Sequence, residues 1–81
     1  MRLYHINVKD YKNFDYSEFI VIGESINNML ENLYTELCPD KEVIPYYLRS
    51  SNFDITCLGE FTPNEKVTKK ILCSRYENDY E

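Results

Sequence analysis

Chemistry in a chain of 81 residues has to come from a short inventory. His5 is the only histidine, and Cys38, Cys57 and Cys73 are the only cysteines. His5 with Cys57 and Cys73 would offer three ligands to zinc, but structural zinc sites pair their ligands in CxxC-type spacing and none occurs. A nucleophilic thiol needs a neighbouring base and a depressed pKa, and for Cys73 the sequence offers only the nearness of Lys70 and Arg75 in its support. Carboxylate pairs such as Asp10 with Asp15 or Asp79 with Glu81 have the residue types for acid–base work. Nothing in their spacing sets a working separation, and a solvated surface explains them. Gly23 and Gly59 stand alone, so no glycine-rich phosphate loop exists. Lys66, Lys69 and Lys70 form the only basic cluster, which the protection of an exposed strand edge explains as well as RNA binding does. The inventory points to no enzyme, no cofactor and no metal.

The aromatic residues say more. Eight Tyr and four Phe exceed what so small a core can hide beside its aliphatics. Tyr11, Tyr16, Tyr46, Tyr47, Tyr76 and Tyr80 are the candidates for exposure, and Asp10, Asp15, Glu18, Glu77 and Asp79 lie beside them. Tyrosine is enriched at protein interfaces because it brings contact area with a polar tip. The expected partner-binding residues are Asp10, Tyr11, Asp15, Tyr16, Glu18, Tyr46 and Tyr47. A net charge of −5 disfavours nucleic acid as a direct ligand and permits a basic protein partner.

These residues need a scaffold, and the stretch FIVIGESINNMLENLYTEL at 19–37 organises it. Ile26, Met29, Leu30, Leu33, Tyr34 and Leu37 recur at helical spacing, with Ser25 as N-cap and Pro39 ending the helix at Cys38. A strand at 18–22 precedes it. Its apolar run Phe19-Ile20-Val21-Ile22 faces both ways, which asks for cover on both sheet faces, from segment 43–48 or from another molecule. Alternation predicts further strands at 2–8 and 53–58, with Gly59 punctuating the latter, and a last strand at 67–76. Residues 9–17 form a protruding polar loop, Pro63-Asn64 marks a turn, and 43–48 is apolar enough to pack over a core edge. The expected fold is α+β: a four-stranded antiparallel sheet of two hairpins with one helix on one face, in the order β-β-α-β-β. It makes one domain over 1–76, followed by an acidic, frayed tail at 77–81. Cys57 and Cys73 are expected on adjacent strands as reduced core residues. No apolar run reaches the length of a membrane span and the N-terminus lacks signal-peptide character, so a cytoplasmic location in the host cell is expected.

The opening RLYHIN, the loop YKNFDYSEF, the step FIVIGES and the late segments FDITCLGE and KKILCSRYE together resemble small proteins encoded by bacteriophages and prophages. Some such proteins are anti-defence factors, including anti-CRISPR inhibitors that bind a nuclease or its nucleic-acid groove without doing chemistry. The resemblance implies a host protein as partner and no catalytic residues, while the doubly apolar 19–22 strand allows for a homodimer. Nine basic residues dilute the acidic surface, so specific protein contact suits this chain better than mimicry of DNA by charge alone. An alternative expectation is an oligomeric binder of a small ligand, such as a sponge for a nucleotide signal, with the pocket formed where a second copy covers the 19–22 strand.

Overall fold

A computed structural model describes residues 1–40, 43–62 and 69–78. The elements are β1 (Arg2–Val8), β2 (Tyr16–Gly23), α1 (Ile26–Leu37), two 3-10 turns (Tyr46–Leu48 and Ser50–Asn52), β3 (Phe53–Glu60) and β4 (Ile71–Tyr76). The four strands form one antiparallel sheet in the order β3-β1-β2-β4. The helix packs on β2 and touches β4. This is the expected α+β fold in the order β-β-α-β-β.

Two-residue alternation sorts the sheet's side chains. Ile6 stands opposite Phe19, and Tyr4 opposite Val21. All four are buried with Met29 and Leu33 of α1. Val8 and its β3 partner Phe53 extend this core, which Cys38 and Leu48 complete. Burying Leu33 contributes about 1.5–3 kcal/mol. Leu30, Tyr34 and Leu37 are partly buried, whereas Ile26, at the helix start, is 48% exposed.

The strand-to-helix step is built from close contacts. Ser25 caps α1, accepting the Asn28 N–H at 3.2 Å, while the Asn28 side chain accepts the Glu24 N–H at 2.9 Å. Asn32 donates to the Ile22 carbonyl at 2.8 Å. Gly23 is needed for proximity: a Cβ there would lie 2.6 Å from the Met29 backbone nitrogen. At the far end, the Cys38 N–H returns to the Tyr34 carbonyl before Pro39.

Several expectations change. β3 and β4 do not form a hairpin; they occupy opposite edges of the sheet, with β1 and β2 between them. Cys57 and Cys73 are therefore not on adjacent strands, and both are exposed; only Cys38 is a core thiol. Three strand spacings, about 14 Å in all, separate the two edges, so a shared zinc site of His5, Cys57 and Cys73 is not assembled. Gly59 lies inside β3, at φ +132°, next to a bulge where the pairing with β1 slips. β2 is longer than 18–22 at both ends.

Segment 43–48 does not fold over the second sheet face. Ile44, Tyr47 and Leu48 pack on the same core as the helix. The second face carries Leu3 and Ile20, both partly buried, and Ile22, which is buried. A polar ladder borders them across three strands. Glu18 Oε1 lies 3.0 Å from His5 Nε2, and its other oxygen lies 3.6 Å from an Arg75 guanidinium nitrogen. Arg75 also pairs with Glu77 at 2.9 Å. The Pro63-Asn64 turn, Lys66, the start of the expected last strand and Asp79 to Glu81 lie outside the described residues. No helix among the described residues is long and apolar enough to cross a membrane.

Candidate partner-binding cleft

Residues 9–15 join β1 to β2 and are tied down on both sides. The Lys9 N–H donates to the Asn52 carbonyl at 2.9 Å, just before β3. The Asn52 side chain donates to the carbonyls of Tyr47 (3.0 Å) and Asp10 (3.5 Å). On the other side, Phe14 N–H meets the Glu77 carbonyl at 2.8 Å and Glu77 N–H meets the Asp15 carbonyl at 2.9 Å. Glu77, assigned to the tail by sequence, is thus a structural partner of the loop. Within the loop, Asp15 accepts the Lys12 N–H at 2.8 Å.

Phe14 adopts φ +69°, the left-handed region that non-glycine residues enter at a cost of about 1–2 kcal/mol. Its ring is 57% exposed. Asn13 beside it would have been the residue to expect there, so the sequence carries no signal for this conformation.

The facing wall comes from the first 3-10 turn. Pro45, at φ −56°, precedes the turn, and buried Leu48 anchors it. The Leu48 carbonyl accepts the Tyr34 hydroxyl at 2.7 Å. This arrangement leaves Tyr46 72% exposed. The Arg49 guanidinium carbon lies 5.5 Å from the Tyr46 ring centre, within cation–π reach. Tyr47 turns inward. Burial pushes its phenol pKa up, against a hydrogen bond from the Tyr16 backbone, with Asp15, Tyr16 and Tyr76 close by.

Between the loop and the turn lies a cavity of about 240 Å³ lined by Asp10, Lys12, Asp15, Tyr46 and Tyr47. Four of the seven sequence-predicted residues therefore converge. Tyr11 shares the loop and is 44% exposed, but it does not line the cavity. Tyr16 belongs to an aromatic cluster, its ring centre 5.2 Å from both Phe19 and Tyr76. It also lines a second cavity of about 500 Å³, with Leu37, Cys38, Val43, Tyr47 and Leu48 among its walls. Glu18 lies on the opposite sheet face, held by His5 and Arg75. Its hydrogen bond with His5 leads the influences that hold its carboxyl below the ordinary 4.5; the Arg75 charge adds to this and burial opposes it.

Lys12 is the cleft residue that sequence reasoning missed. The cleft can bind through charge, hydrogen bonds and tyrosine faces. Among the described residues no group of three or more His, Cys, Asp or Glu is placed to hold a metal ion. Comparison with protein-family models, with curated proteins and with solved structures returns no match.

Proposed function

We propose that the chain is a non-enzymatic protein-binding module, an inhibitor of the phage anti-defence kind, that docks on a basic surface of a host defence protein. The observation that supports this reading is the convergence of Asp10, Asp15, Tyr46 and Tyr47 around one cleft, from segments more than thirty positions apart. Carboxylates beside the exposed Tyr46 ring complement a surface rich in Lys and Arg, such as the nucleic-acid groove of a nuclease. Charge complementarity of this kind speeds association and weakens with salt. The reading assigns no reaction, cofactor, membrane or direct nucleic-acid contact to the chain.

The test is phage plaquing on bacterial hosts that each carry one defined defence system, with and without the expressed chain. The expected result is restored plaquing under one system, lost with Asp15→Asn or Tyr46→Ala and kept with Cys57→Ser, which lies on the β3 edge. Full protection of every host, or full activity of both cleft variants, would overturn the reading.

A second reading, an oligomeric small-ligand binder, is favoured by the cavity of about 500 Å³ beside Tyr16, which lies within one chain rather than under a second copy on the 19–22 strand, a size within the range of small-molecule sites. It predicts a retained metabolite and a dimer in native mass spectrometry; a bare monomer would remove it.

A further inference from the structure

We infer that the cleft between residues 10–15 and the Tyr46 turn seats one arginine side chain of the partner, its guanidinium between the Tyr46 ring and the carboxylates of Asp10 and Asp15. The inference rests on the reading of this cleft as the contact surface, and it names what enters it. Size limits the occupant: about 240 Å³ falls below the roughly 300–1,000 Å³ of cofactor and drug-sized sites and suits a single side chain. Charge sets the sign. Two carboxylates and one ammonium line the cleft, a net charge of −1 for its walls, with the Arg49 guanidinium against the Tyr46 ring but not among the lining residues. One Asp15 oxygen holds the Lys12 N–H, and the Asp10 carboxylate has no partner among the described residues.

Chemistry then separates arginine from lysine. A guanidinium is planar, forks toward two acceptors and stacks on an aromatic face, whereas an ammonium is a hydrated point charge. Tyr46 already lies within cation–π reach of one guanidinium, that of Arg49, so the partner's guanidinium would take the other face of the ring or displace Arg49 from it. Beside the cleft, Tyr11 offers apolar area on the same loop.

Lys12 gives the inference a prediction of opposite sign. Its ammonium repels an incoming cation, so Lys12→Met should tighten binding where most surface substitutions weaken it.

The experiment titrates the isotope-labelled full chain with N-acetyl-arginine methylamide, followed by amide chemical shifts. N-acetyl-lysine methylamide and the neutral N-acetyl-citrulline methylamide serve as comparators. Saturable shifts confined to residues 10–15 and 45–49 are expected. Citrulline should bind about tenfold more weakly, the size of a charge-assisted hydrogen bond, and lysine should fall between. Asp15→Asn and Tyr46→Ala should each weaken the arginine probe severalfold while keeping a native spectrum, and Lys12→Met should strengthen it. Equal response to arginine and citrulline, shifts elsewhere on the sheet, or none at all would overturn the inference. A chain that restores plaquing yet ignores the arginine probe refutes the occupant alone. A chain that binds the probe but protects no phage refutes only the inhibitor reading.

Discussion

Gly23→Ala is the sharpest test of how β2 and α1 are joined. The added Cβ would sit 2.6, 2.7 and 2.8 Å from the nitrogen, Cα and Cβ of Met29. That is about 0.7 Å short of ordinary contact. The obstacle is mostly backbone, so no side-chain rotation clears it. Nor can the helix start retreat freely: Ser25 holds Asn28, Asn32 holds the Ile22 carbonyl, and Met29 is fully buried. Overpacking of this kind costs about 1–3 kcal/mol, and the locked geometry places this case in the upper half, about 2–3 kcal/mol. For a domain of this size each kcal/mol is worth about 4–8 °C in Tm, so a fall of roughly 8–24 °C is expected. Urea unfolding followed by circular dichroism should show a lower midpoint with an unchanged slope. Gly59→Ala supplies the contrast, since nothing lies within 4 Å and only its φ of +132° opposes a side chain. A Gly23→Ala protein melting within about 2 °C of wild type would refute the reasoning.

Three further outcomes are expected. Ser25→Ala removes the acceptor of the Asn28 N–H and should cost about 1 kcal/mol in urea unfolding; no loss would mean that the Glu24–Asn28 bond alone caps the helix. Glu18 has a folded-state pKa below 4.5. Its contribution to stability is present above 4.5 and lost as pH falls through the folded value. Glu18→Gln should therefore flatten the acid limb of the urea midpoint against pH, and parallel limbs would contradict the His5–Glu18–Arg75 ladder. Native-state labelling with a thiol reagent should modify Cys57 and Cys73 quickly. Cys38 should react only as the fold opens, because it is 6% exposed and burial raises its thiol pKa. Three equal rates would refute the assignment of Cys38 to the core.

The helix was fully legible because 3.6-residue periodicity, a cap and a proline all act locally on residues 25–39. Strand order was not. A late hairpin is the short-range solution, whereas β3 and β4 each take a free edge of the β1–β2 pair, a choice made by long-range packing. The exclusion of Glu18 from the cleft was legible in strand parity, since Phe19 faces the core and its neighbour must face away. Tyr16 breaks that parity. The register with β4 slips between Tyr16 and Glu18, leaving Ser17 as the extra residue, and Tyr16 returns to the side of Phe19. Composition flagged the tyrosines. That Tyr46 and Tyr47 meet Asp10 and Asp15 depended on Leu48 and Phe53 entering the core, which no local pattern encodes.

The bonds from Glu77 to Phe14 and Asp15 also set a clock. Glu77 lies 60 positions beyond Ser17, the residue after this loop joins β2. During synthesis at about 5–20 residues per second, the loop waits several seconds for the residue that holds it. The β1–β2 hairpin and its helix can associate in that interval, but one side of the candidate contact surface has nothing to brace it. A chain interrupted before β4 would thus carry Asp10 and Asp15 on a loop braced from one side only.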